Sequence, residues 1–260
     1  MNDKVKAKKH LGQHFLNDES IALQIVDGLL VNENESILEI GPGMGVLTKY
    51  FIQRQANIKV AEIDTESVLY LQNHFPYLKE RIVAGDFLRK QPSDYFDGKI
   101  AMIGNFPYNI GSQIFFKVLE SRDVYTQVVC MLQKEVAVRL ASPPGNKQYG
   151  ILSVLLQAFY KIEYLFTVHE HVFIPPPRVK SGVIRLTRNE TTALGCDEKL
   201  FFQLVKQGFN NRRKTLKNAL KCLNLETENI DEFFLSARAE QLSVAQFVEL
   251  TKQASKGLEA

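Results

Sequence analysis

Short apolar runs that end in polar or glycine-rich stops alternate along this chain with stretches of helical spacing. Asn17 or Asp18 can cap a first helix, behind which Ile21, Ile25, Val26 and Leu29 recur on one face. Strands are predicted over 36–40, 58–63, 81–84, 99–103 and 127–132, with a helix over about 46–55 after the first. Their stops are Gly41-Pro42-Gly43-Met44-Gly45, Glu62 with Asp64, Gly85-Asp86 and Asn105-Phe106-Pro107-Tyr108. Strands alternating with helices at this spacing predict an α/β protein whose parallel sheet carries helices on both faces. In such a sheet ligands sit at the carboxyl ends of the strands, so all four stops are expected along one rim.

Beyond Pro143 the pattern changes. A helix is predicted over 151–159 and strands over 160–168 and 182–187, with the rigid connector Pro175-Pro176-Pro177 between them. From about residue 190 only helical spacing remains. The expected division is therefore an α/β domain over 1–189 and a small all-α domain over 190–260.

Composition narrows the class. Apolar residues are 45% of the 260, enough for a sizeable core. No apolar run reaches the ~18 residues of a membrane helix. The opening residues lack the apolar stretch of a secretory leader. Cys130, Cys196 and Cys222 form no CxxC and predict reduced thiols rather than a metal or disulfide frame. His169 and His171 have no third ligand nearby in sequence, so no metal is expected. A soluble, cytoplasmic protein is expected, and the absence of a long apolar seam predicts a monomer.

The net charge of +3 says little, but its distribution says more. Lys4, Lys6, Lys8, Lys9 and His10 make a basic lead-in. Between residues 199 and 222 lie seven basic residues and no acidic one, with Arg212, Arg213, Lys214, Lys217 and Lys221 closely grouped. Arg213, Lys217 and Lys221 have the spacing of one helix face, and phosphates are the natural partner of such a stripe.

A glycine-rich turn between strand and helix admits a ligand close to the backbone. A dinucleotide site wants GxGxxG, and here the third glycine falls one place early. An uncharged linker, such as the methionyl part of S-adenosylmethionine, needs no phosphate nest. Glu62 or Asp64 suits ribose hydroxyls in either case, and Asp86 can accept from an adenine amino group. The run Asn105-Phe106-Pro107-Tyr108 suits an adenine amine as substrate. That amine is a poor nucleophile because its lone pair is delocalised. Acceptors on its N–H groups, namely the Asn105 amide oxygen and the carbonyl of Phe106 or Pro107, pull the nitrogen toward sp³ geometry. Pro107 stiffens the turn and Tyr108 offers a stacking face. Phe173, before the proline run, is a candidate clamp for the other face of an extruded base.

These stretches occur in a recognisable order: GQHFLND (12–18), EIGPGMGVLT (39–48), EID (62–64), GDFL (85–88), GNFPYNI (104–110), MLQKEVAVRL (131–140), YGILSV (149–154), VFIPPPRVKSGV (172–183) and FNNRRKTLKNAL (209–220). In this the chain resembles the small-subunit (16S) rRNA adenine N6-dimethyltransferases of the KsgA type, over almost its whole length. The resemblance implies a Rossmann-like class I methyltransferase sheet plus a helical rRNA-binding domain. It also implies S-adenosylmethionine as donor and two methylations on each of two adjacent adenosines near the RNA 3′ end, in a pre-30S particle. It maps donor contacts onto His14, Leu16, Gly41, Glu62, Asp86 and Asn105, with Gly43 in the same turn. It maps catalysis onto Asn105, Pro107 and Tyr108, and stacking onto Phe173. The chain departs from the family where the usual QNF reads QHF, placing His14 at the donor site, and where NLPY reads NFPY. The alternatives are a large-subunit rRNA adenine methyltransferase and a non-catalytic RNA-binding assembly factor.

Overall fold

A computed structural model describes residues 5–31 and 35–255; Lys4 of the basic lead-in lies outside them. The strands are β1 (Phe15–Leu16), β2 (Ser36–Ile40), β3 (Ile58–Glu62), β4 (Ile82–Ala84), β5 (Ile100–Asn105), β6 (Tyr125–Gln133), β7 (Tyr160–Val168), β8 (Phe173–Ile174) and β9 (Ser181–Arg188). The helices are α1 (Glu19–Asp27), α2 (Thr48–Gln53), α3 (Thr65–His74), α4 (Gly111–Glu120), α5 (Lys134–Ala141), α6 (Ile151–Gln157), α7 (Glu198–Asn210), α8 (Leu216–Ala219), α9 (Glu232–Ser236) and α10 (Val244–Ser255). The expected strands are present, β5, β6 and β9 running longer than the apolar pattern indicated. Helix α5 has no counterpart among the sequence expectations.

Seven strands form one sheet in the order β4-β3-β2-β5-β6-β9-β7. The pairs from β4 to β6 are parallel, and β9 runs antiparallel to β6. Chain order reverses between β2 and β5, and a crevice opens at such a point in a doubly wound sheet. Ile40 pairs with Gly104 across that junction, which sets Gly41 beside Asn105. Gly104 is required there: a Cβ would lie 2.5 Å from the Ile40 carbonyl oxygen. The central strands are apolar on both faces. Ile37, Val60, Ala101, Ile103 and Val129 lie in one buried cluster with Ile25 and Val26 of α1 and Phe51 of α2. Asp18 caps α1, accepting from the N–H groups of Ser20 and Ile21.

A second, two-stranded ladder joins β1 to β8 antiparallel, pairing Phe15 with Ile174 and Leu16 with Phe173. It ties the lead-in to the proline-rich segment, a pairing that two-residue strands do not announce in sequence.

The chain divides into two compact units, one of Met1–Ala137 with Lys161–Arg188, the other of Val138–Tyr160 with Asn189–Ala260. The expected cut at 189 falls at the second crossing, but 138–160 leaves the first unit. Helix α6 packs on α7 and α10 there, its Val154, Leu155 and Leu156 fully buried. Among the described residues no helix is long and apolar enough to cross a membrane.

Candidate active site

The crevice at the carboxyl ends of β2, β3, β4 and β5 is lined by Gly41, Gly43, Glu62, Ile63, Asp86, Asn105, Phe106, Pro107 and Tyr108, together with Leu11–Phe15 of the lead-in. The four polar stops therefore do meet on one rim. Leu16 borders an adjoining cleft with Glu39, Gly41, Gly43 and Asn105.

The glycine turn is built for close approach. Gly43 has φ 56°, and a Cβ on it would lie 2.8 Å from the Phe15 ring. Its N–H donates to Glu62 Oε2 at 3.0 Å, while Glu62 Oε1 accepts from the Asp64 N–H at 2.8 Å. Burial raises the Glu62 pKa above the ordinary value, and these N–H bonds oppose the rise. Asp64 itself is turned away from the pocket, ion-paired to Lys8 and accepting from Gln13 Nε2 at 3.1 Å. Burial would raise its pKa, but the bonds from Lys8 and Gln13 outweigh burial and hold it low. Of the two acids between which the sequence left the choice, Glu62 is the one that borders the pocket. Lys8 pairs with Glu66 as well, at 3.2 Å, so this member of the lead-in is already committed. Asp86 caps the turn after β4 through the Leu88 N–H at 2.9 Å and keeps its side chain partly exposed.

Asn105 ends β5 with its side-chain nitrogen donating to the His14 carbonyl oxygen at 2.9 Å. A carbonyl only accepts, so the amide nitrogen must lie on that side and Oδ1 is left for the pocket. Pro107 lends its carbonyl to the Ile110 N–H at 3.2 Å. The Phe106 ring is buried against Phe115, so Phe106 borders the pocket through its main chain. Of the two carbonyls left open by sequence, Phe106 is the one without an internal partner among the described residues. The Tyr108 hydroxyl is bonded to Ser181 Oγ at 2.6 Å. Burial raises its pKa, against the Ser181 bond.

Three expectations are corrected. Phe173 is 2% exposed, packed in the core beside Leu16 and Val183, and does not reach the site. Pairing with β1 turns Phe173 inward and its neighbour Ile174, at 54%, outward. Arg213, Lys217 and Lys221 do not share a helix face. Helix α7 stops at Asn210, α8 is only four residues, and Lys221 begins a separate 3₁₀ turn. Arg213, Lys214, Lys217 and Lys221 are exposed nonetheless. Arg212 is committed elsewhere, its Nε 3.7 Å from Glu240 and a terminal nitrogen 3.2 Å from the Asn146 carbonyl oxygen. Cys130 is buried, Cys196 half-buried and Cys222 exposed.

Sequence reasoning passed over Glu39. It lies in β2 at 1% exposure, accepts from Thr48 Oγ1 at 2.7 Å, and borders the cleft beside the glycine turn. Burial pushes its carboxyl up to about 8. A charged residue inside an apolar strand was the available signal.

A glycine turn at the switch point of a parallel sheet, facing an asparagine-led turn on the next strand, defines a nucleotide-type crevice in a Rossmann-like α/β protein. Residues 4–256 match the family model described as Ribosomal RNA adenine dimethylase, and the chain belongs to that family. It is 59% identical to Ribosomal RNA small subunit methyltransferase A of Cytophaga hutchinsonii, over 97% of this chain and 99% of that protein. To the protein of the same name from Flavobacterium johnsoniae it is 56% identical, over 96% and 97%. Among solved structures it resembles a dimethyladenosine transferase from Plasmodium falciparum (TM-score 0.76, 22% identity, 91% of this chain and 96% of that one). It also resembles the 23S rRNA methyltransferase ErmE (TM-score 0.70, 22% identity, 93% and 99%). These two likenesses bear on the fold.

Proposed function

We propose that this protein transfers methyl groups from S-adenosylmethionine to N6 of two adjacent adenosines in small-subunit rRNA, in a pre-30S particle in the cytoplasm. The observation that carries the reading is the fixed amide of Asn105, nitrogen on the His14 carbonyl and oxygen toward the pocket.

The pocket's charge supports the donor. Its lining includes Glu62 and Asp86 and, among the described residues, no lysine or arginine, which suits a cation and opposes a pyrophosphate. Glu62 suits the ribose hydroxyls, Asp86 the adenine amine, and the backbone at Gly41 and Gly43 the methionyl chain. When bound, S-adenosylmethionine supplies an electrophilic methyl on a sulfonium.

The chain's own residues prepare the nucleophile. Asn105 Oδ1 and the Phe106 carbonyl accept from the N6 hydrogens and localise the nitrogen lone pair. Asparagine does not titrate, so the device works by position rather than by proton abstraction. Tyr108 presents a ring to the purine, steadied by Ser181. The exposed Arg213, Lys214, Lys217 and Lys221 suit phosphate contacts.

The small-subunit names borne by relatives more than half identical favour that RNA over the large-subunit alternative. Incubating the protein with isotope-labelled donor and either immature small-subunit particles or protein-free large-subunit rRNA, then analysing the digested RNA by mass spectrometry, tests this. Labelled N6,N6-dimethyladenosine from the small-subunit particle alone is expected. Label in the large-subunit RNA alone, or in neither, contradicts the reading.

A further inference from the structure

His14 stands at the junction of three parts of the site. Its carbonyl oxygen accepts the Asn105 amide at 2.9 Å, and its Nδ1 lies 2.8 Å from the Pro175 carbonyl oxygen. Its ring lies 5.5 Å from that of Tyr108, centroid to centroid, at an interplanar angle of 30°. The second partner is a carbonyl and can only accept, so Nδ1 carries the hydrogen.

The reason lies in the strand pairing. β1 and β8 run antiparallel with Phe15 opposite Ile174, which sets His14 opposite Pro175. Asn17 N–H donates to the Val172 carbonyl, so 17/172 and 15/174 are the hydrogen-bonded pairs and at 14/175 the backbone ladder makes no bond. The imidazole supplies one there and carries the pairing one residue further. What it anchors is the segment that follows β8, where Val179 is 43% exposed, with Ile174 at the strand's end 54% exposed. Glu62 ends β3, and Gly43 and Asp86 lie in the turns after β2 and β4.

We infer that His14 is a positioning residue, its side chain holding the proline-rich segment in register with Asn105. This rests on the function proposed above for its catalytic consequence, though not for the anchoring itself. An Asn side-chain nitrogen occupies the place of Nδ1. A Gln nitrogen occupies the place of Nε2.

The test compares wild type with H14N, H14Q and H14F, the last keeping a ring against Tyr108. In the ligand-free protein, amide hydrogen exchange over 173–181 is expected to rise roughly fivefold in H14Q and H14F, the scale of one lost hydrogen bond. H14N keeps most of the protection. With labelled donor and small-subunit particles, kcat/KM for RNA falls roughly five- to tenfold in H14Q and H14F, chiefly through KM, and least in H14N. Equal exchange in all four proteins overturns the anchoring. So does H14Q retaining what H14N loses. If the exchange pattern holds while wild type methylates no rRNA, the anchor stands and the proposed function falls.

Discussion

The His14 carbonyl oxygen and the Asn105 side-chain nitrogen are 2.9 Å apart, and that bond decides which end of the amide meets the pocket. An aspartate at 105 has no hydrogen to give, so one carboxylate oxygen would face the carbonyl oxygen at close range. N105D is expected to lower stability by about 1–3 kcal/mol, the cost of setting two acceptors against each other. Chemical denaturation checks this; unchanged stability would show that the bond holds nothing in place.

The glycine turn makes a second prediction. G43A forces a side chain into positive φ and against the Phe15 ring. The backbone strain alone is about 1 kcal/mol, and the ring must move besides. Donor affinity measured by calorimetry is expected to fall at least about tenfold. F15L in the same chain should recover part of the loss, because it relieves the clash and leaves the strain. Equal losses in single and double variants would contradict the packing account.

Glu39 makes stability depend on pH. Its carboxyl is pushed up to about 8 in the fold, by burial first, while its ordinary value is 4.5. Between these values the folded state holds a proton that the unfolded chain has released, so stability falls as pH rises through that window. E39Q removes Glu39's share of the dependence and keeps an acceptor for Thr48. The melting temperature of E39Q should exceed that of wild type at pH 8 and match it near pH 4.5. A constant difference between the two across that range contradicts the assignment.

The basic residues separate by role. Exchanging Lys214 or Lys217 for Gln should weaken RNA binding across sequences and reduce the salt slope by roughly 0.7–0.9 for each phosphate left without its cation. R212Q should instead lower stability, through its partners Glu240 and Asn146. Salt-dependent binding titrations and thermal melts read the two effects separately.

The parallel half of the sheet was legible because each strand ends in a residue that cannot continue it. Gly41, Glu62, Asp86 and Asn105 mark those ends, and the order of the elements brings them together. What was not legible depends on partners distant in sequence. The β1–β8 ladder is two residues long and leaves no period to read, yet it turns Phe173 into the core and Ile174 to solvent. The spacing of Arg213, Lys217 and Lys221 fits a helix, but Asn211 ends α7 and Thr215 starts a new one, so spacing misplaced them. Segment 138–160 joins the second unit through buried faces of α6 that match equally well to any core.

The central claim is that the Asn105 side-chain oxygen activates the adenine amine. Single-turnover methyl transfer by N105A to small-subunit particles, with donor and RNA binding measured on the same protein, tests it most directly. The rate is expected to fall at least about a hundredfold, the scale for removing a preorganised transition-state contact, with both affinities within about threefold of wild type. A wild-type rate in N105A, with binding intact, contradicts the account.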